Sequence, residues 1–237
     1  MELPMILEKP HRDLSGRTIH RISFIAVILF SIFLILSPTA TSCGEPKRWS
    51  KEWEEDYEKR QPSEKIMDAI GVKPGMVVGE VGAGNGRFTV KVAARVGESG
   101  KVLANDIDED AINFMKKRCK REKIKNMVVV EGKVEDPLFP VAALDMVYMI
   151  NTYHHLAKPV ELLKNFIPSL KAGGLLAIID RDPERLKESS SHYTRKQAVL
   201  DQAKEAGFEL VRLETFLPED NIYIFCLREP EPALDKE

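Results

Sequence analysis

The chain has 237 residues, 43% of them hydrophobic and 30% charged, with a formal net charge of −2. That length holds one sizeable domain plus appendages, and the balanced charge excludes a bulk field for nucleic acid, so no such partner is expected. Three cysteines (Cys43, Cys119 and Cys226) exclude a disulfide scaffold; Cys119 and Cys226 fall at apolar spacings and are expected as reduced core residues.

The N-terminus opens with Arg12, Arg17 and Arg21, followed by Ile22–Leu36, an apolar run interrupted only by Ser23 and Ser31. Residues 1–43 are thus expected to be a leader with a signal peptide or membrane anchor. Thr39-Ala40-Thr41-Ser42-Cys43 resembles a bacterial lipoprotein cleavage box, with Cys43 as the lipidated residue. The alternative is one uncleaved helix, extended by Pro38–Ser42 towards the roughly 20 residues a span needs. Either way the protein is expected to meet a membrane. Lys47, Arg48 and Lys51 nearly balance the earlier arginines, so the side of the membrane stays open.

Residues 44–60 form a charged linker with Trp49, Trp53 and Tyr57 at i, i+4 and i+8, three aromatics on one helical face. This helix either rests on the domain, lies along a membrane interface, or covers a ligand pocket. A helix over Ser63–Ile70, with Ser63 as its N-cap, leads into a strand near Met76–Val81. A helix over Gly86–Val96 follows, then a strand at Lys101–Asp106. The next helix carries Ala111, Ile112, Met115 and Cys119 on one face. Its basic run from Lys116 to Lys125 is expected to be a solvated helix end. Strands follow at Met127–Glu131 and Leu144–Ile150, then a helix over Val160–Leu170. A turn at Lys171–Gly174 leads to a strand at Leu175–Asp180. A helix over Arg195–Ala206 and strands near Phe208–Thr215 and Ile222–Leu227 close the domain, residues 61–228. Strands alternating with helices predict an α/β fold with a mostly parallel sheet covered on both faces. Residues 229–237, with two prolines and several charges, are expected to be disordered.

Val77-Val78-Gly79-Glu80-Val81-Gly82-Ala83-Gly84-Asn85-Gly86 carries the chemistry. A strand ends on an acid and meets glycines at alternate positions. Such glycines turn sharply and admit a ligand to the backbone, and free N–H groups of the next helix face the same place. Asp106 ends the following strand, about where such folds grip a ribose. Together these residues predict an adenosine-containing cofactor.

From residue 60 to 228 the chain resembles class I S-adenosylmethionine-dependent methyltransferases. Glu80-x-Gly82-x-Gly84-x-Gly86, Asp106-Ile107-Asp108, Leu144–Leu156, Leu170–Asp180 and Ala206-Gly207-Phe208 match its motifs in order. The resemblance implies a Rossmann-like, doubly wound, seven-stranded sheet ending in an antiparallel hairpin. It implies S-adenosyl-L-methionine as cofactor and a small-molecule or lipid-soluble acceptor. Gly82, Ala83, Gly84 and Gly86 would approach the methionyl and ribose portions, Glu80 the amino end, and Asp106 the ribose hydroxyls beside Ile107. Asn151 would sit beside the sulfonium. Lys133 stands where many relatives carry an acid for adenine, so Val134 and Glu135 become the candidates there. His155 is the candidate general base. His154 and His155 are adjacent and expected to point apart, so no metal site is expected. Two other readings remain: a non-catalytic, membrane-tethered cofactor-binding module, and an NAD-dependent oxidoreductase. The second would need Gly-x-Gly-x-x-Gly, but position 87 is Arg.

Overall fold

A computed structural model describes residues 49–186 and 190–228. The leader, its apolar run, Cys43 and the 229–237 tail lie outside the described residues. Among the described residues, no helix is long and apolar enough to cross a membrane.

The helices are α1 Lys51–Arg60, α2 Ser63–Ile70, α3 Thr89–Val96, α4 Glu109–Glu122, α5 Pro159–Phe166 and α6 Lys196–Glu205. The strands are β1 Val77–Val81, β2 Lys101–Asp106, β3 Met127–Glu131, β4 Leu144–Ile150, β5 Leu170–Arg181, β6 Phe208–Glu214 and β7 Asp220–Leu227. They form one sheet of order β3-β2-β1-β4-β5-β7-β6. Pairing is parallel from β3 to β5, and β7 runs antiparallel to both β5 and β6. The strand order reverses between β1 and β4, the place where open α/β sheets hold ligands at their carboxyl ends.

Alternation along β4 explains the two-faced core. Met146, Tyr148 and Ile150 pack with Ile66, Val92 and Met115 of α2, α3 and α4. Val147 and Met149 turn to the other face and pack with Leu163, Phe166 and Val199 of α5 and α6. Side chains of period two feed both faces of a buried sheet, so β4 reads as one apolar run.

Three local expectations change. α3 begins at Thr89 and not at Gly86, because Gly82, Gly84 and Gly86 all hold positive φ, which an α-helix does not accommodate. Ser63 is the first helical residue of α2 and not its cap: its N–H and Oγ donate to Glu58 at 2.9 and 2.6 Å, so a carboxylate from α1 supplies the cap. Lys171–Gly174 lies inside β5, where the pairing with β4 shifts register between Leu144 and Met146. Cys119 and Cys226 are half-buried free thiols, and burial raises the pKa of Cys119.

Candidate cofactor cleft and its lid

The carboxyl ends of β1, β2 and β4 open on two neighbouring clefts. Trp49, Trp53, Tyr57, Glu80, Gly82, Ala83, Gly84, Arg87, Asp106 and Asn151 are among the residues lining the first, a cavity of about 240 Å³. Ile107, Lys133, Val134, Thr152 and His155 line the second, which shares Gly82 and Asp106 with the first.

Glu80 is 1% exposed. Burial pushes its pKa up to about 7, against hydrogen bonds from Thr89 and Tyr148 and the nearby charge of Arg87. Both hydroxyls donate to the same oxygen, Oε2, Tyr148 at 2.7 Å. Arg87 is also buried; its Nη2 donates to Gln61 at 3.0 Å and its guanidinium lies 4.6 Å from the Tyr57 ring centroid. Its Nη1 has no hydrogen-bond partner among the described residues.

The glycines serve different ends. A Cβ on Gly82 would lie 2.2 Å from Thr152 Cγ2, whereas one on Gly84 would meet nothing within 4 Å; both hold positive φ. Gly84 is thus shaped by conformation and Gly82 also by close approach of the β4 loop. Gly86 lines neither cleft; it closes the turn by donating its N–H to the Ala83 carbonyl at 2.9 Å. Asp106 Oδ2 accepts from Gly84 N–H at 2.7 Å, and Oδ1 accepts from Ile107 and Asp108 N–H at 2.8 and 3.0 Å. Those bonds fix the carboxylate and take three of its roughly four lone-pair sites, leaving one on Oδ2 for a ligand hydroxyl. Asn151 ends β4 at φ +54° and exchanges two amide hydrogen bonds with Gln61, at 2.8 and 2.9 Å.

Glu135 is a correction. It lines neither cleft; its carboxylate pairs with Lys158 and its carbonyl accepts from Asn165 at 2.7 Å. Val134, half exposed, lines the second cleft beside Ile107.

α1 lies along the first cleft: its Trp53 and Tyr57 line it, with Trp49 just ahead of the helix. Arg118 from α4, 7% exposed, forks onto Glu54 at 2.6 and 3.0 Å, and Asn85 Nδ2 reaches the same carboxylate at 2.9 Å. Lys91 holds Glu58 at 2.7 Å. Arg118 therefore departs from the solvated reading of its basic run. Arg87, Arg118 and Gln61 are not legible from the sequence as site residues because their partners are distant in it; the local signs are a cation directly after the last glycine and the helical spacing of Arg118 from Ala111 and Met115.

His154 and His155 also depart from expectation. Their ring centroids lie 4.0 Å apart, and His192 joins them at 4.9 and 5.3 Å. The short 3₁₀ turn Tyr153–His155 brings the adjacent rings together. Burial, followed by His154 and His192, lowers the His155 pKa.

Residues 72–218 match the family described as methyltransferase domain. A protein of Sulfurisphaera tokodaii named "Probable cobalt-precorrin-6B C(15)-methyltransferase (decarboxylating)" is 33% identical over 100 residues, which is 42% of this chain and 50% of that protein. The ubiquinone/menaquinone biosynthesis C-methyltransferase of Escherichia fergusonii is 27% identical over 133 residues, 54% of this chain and 51% of that protein. The chain thus spans about half the length of these curated relatives. A solved SAM-dependent methyltransferase from Aquifex aeolicus superposes with a TM-score of 0.68 at 25% identity, covering 72% of this chain and 92% of that one.

Proposed function

The chain belongs to the methyltransferase-domain family, and on that premise we propose that it is an S-adenosylmethionine-dependent methyltransferase acting on a small-molecule acceptor. One observation carries the cofactor assignment. The first cleft joins a buried carboxylate, Glu80, and a buried guanidinium with an unpartnered nitrogen, Arg87, to the anchored carboxylate of Asp106. An α-amino acid head needs one charge of each sign, and a ribose hydroxyl needs an acceptor such as the free lone pair on Asp106 Oδ2. Glu80 would hold the ammonium, Arg87 the carboxylate and Asp106 a ribose hydroxyl. Ile107 and Val134 would flank the adenine.

The bound cofactor supplies an electrophilic methyl group on a sulfonium. The protein's task is to align the acceptor and exclude water. Asn151, fixed by Gln61, stands at the cleft, and Trp53 and Tyr57 of α1, with Trp49 just ahead of it, shield it. A base is needed only for an acceptor that holds its proton at working pH; His155, beside the second cleft, would serve. A small acceptor agrees with the names of the relatives, and membrane association through Ile22–Leu36 rests on that segment's apolar sequence.

The test is calorimetric titration of the full chain with S-adenosylmethionine, beside Asp106→Ala and NADH. Saturable binding, weakened by the substitution and absent for NADH, supports the assignment. No binding by a folded chain refutes it. Release of S-adenosylhomocysteine across a panel of quinol and tetrapyrrole acceptors then tests catalysis; binding without turnover on any acceptor favours a non-catalytic module.

A further inference from the structure

The geometry points to a divalent-metal site formed by His154, His155 and His192, of the borderline class that includes Zn²⁺. Each residue offers a ring nitrogen, and the three nitrogens lie within 4.8 Å of one another. They come from separate stretches: the turn after β4 and the segment before α6. A third stretch contributes the orienting group. Asp180, near the end of β5, accepts from the His154 backbone N–H at 3.0 Å and lies 2.7 Å from its Nδ1. Both side chains are nearly sealed, 5% and 4% exposed.

That arrangement is what a metal-binding imidazole requires. A carboxylate on one ring nitrogen fixes the tautomer and leaves the lone pair on the other, and such partners commonly accompany metal-bound histidines. Tyr193 packs edge-on against His154 and His192, at 4.8 and 4.9 Å, and Arg181 holds its hydroxyl at 2.9 Å. The cluster is therefore braced on its inner side. His155 and His192 are exposed, which leaves an access path and an open coordination position. Nitrogens around a four-coordinate ion at about 2.0–2.1 Å lie roughly 3.3 Å apart. The nitrogens, within 4.8 Å of one another, would have to draw closer to hold an ion, and His155 and His192 are the exposed members of the three.

Three neutral imidazoles suit Zn²⁺, Cu²⁺, Ni²⁺ or Fe²⁺ and not Mg²⁺ or Ca²⁺, which take oxygen. Three histidines with an open fourth position is the donor set of a catalytic rather than a closed structural zinc site. His155 also lines the second cleft, so a cation here stands beside the proposed cofactor site. There it would act as a Lewis acid on an acceptor oxygen or a bound water. It would also occupy the lone pair that a base role for His155 needs. The acceptor role rests on the proposed function; the site does not.

The test uses the full chain stripped with a chelator and titrated calorimetrically with Zn²⁺ alone, without cofactor. One Zn²⁺ per chain is expected, with no saturable Mg²⁺ binding. His155→Ala and His192→Ala remove exposed rings, so folding is not at stake, and circular dichroism checks it. Each should weaken Zn²⁺ by more than the roughly 10–100-fold that loss of an orienting partner such as Asp180 costs. His11→Ala/His20→Ala, which removes the chain's remaining histidines, should leave binding unchanged. Cobalt(II) in place of zinc should give the visible absorption of a four-coordinate ion, lost in His192→Ala. No saturable Zn²⁺ binding by the folded chain overturns the proposal, as does Zn²⁺ binding unaltered in both single variants. Failure of methyl transfer with Zn²⁺ binding intact would leave the site standing and refute only the function.

Discussion

Replacing Glu80 with Gln keeps the side chain's length and an acceptor for Thr89 and Tyr148 but removes the ionisable oxygen. Burial holds the native pKa near 7, against 4.5 for the free group. Below pH 4.5 both native and unfolded chains carry the proton, and the group contributes no pH dependence. Between 4.5 and 7 the unfolded chain releases a proton that the native chain retains, so stability falls as pH rises. The full loss above pH 7 is about 3 kcal/mol, from a shift of roughly 2.5 units at 1.36 kcal/mol each. Glu80→Gln escapes this loss. Urea unfolding of the cofactor-free chain should therefore find the variant more stable by about 3 kcal/mol at pH 8 and equal to the parent at pH 4.5. Cofactor binding should move the other way. The ionised carboxylate meets the ammonium, so the parent's affinity for S-adenosylmethionine should rise by up to about tenfold per unit between pH 5 and 7. The window closes near pH 7.7, where an α-amino group begins to lose its own proton. In Glu80→Gln the slope disappears, and affinity at pH 7.5 falls by roughly 10–100-fold, the worth of a charge-assisted hydrogen bond. An equal stability change at pH 4.5 and pH 8, or a slope that persists in the variant, would refute the reasoning.

Gly82→Ala combines a left-handed backbone with a Cβ 2.2 Å from the Thr152 methyl. Thermal unfolding should show a loss of about 2–4 kcal/mol, and an added Thr152→Gly should restore part of it; full additivity of the two would deny the contact. Arg118→Met unfastens Glu54 from α4, so amide exchange should rise across Lys51–Arg60 while β1 and β4 stay protected. Unchanged exchange in α1 would show that its aromatic face alone holds the helix. Arg87→Leu removes the guanidinium whose Nη1 lacks a partner among the described residues and should weaken S-adenosylmethionine by at least about tenfold, with less effect on adenosine, which lacks the carboxylate. Equal losses for both ligands would place Arg87 away from the amino-acid head.

The sequence by itself determined the sheet and the mouth of the site. Apolar runs of strand length, separated by helical periodicity, are local signals, and β2, β3 and β4 begin and end at the expected residues. Glu80, Asp106 and Asn151 were legible because strand ends in an alternating α/β pattern must gather at one edge of the sheet. Tertiary structure alone decided which side chains meet there. Arg118 sits in a basic run whose charge and place at a helix end predict solvent, yet it finds Glu54, 64 positions earlier, because α1 folds back over the cleft. Gln61 and Asn151 pair across 90 positions. Glu135 pairs with Lys158, a neighbour only after β4 has returned to the sheet, and lines neither cleft. His192 joins His154 and His155 in the same way, by the convergence of chain segments. Periodicity reports which face of an element is apolar. It carries no record of the partner on another element, because that pairing is fixed by packing and by the cost of burying an unpaired charge.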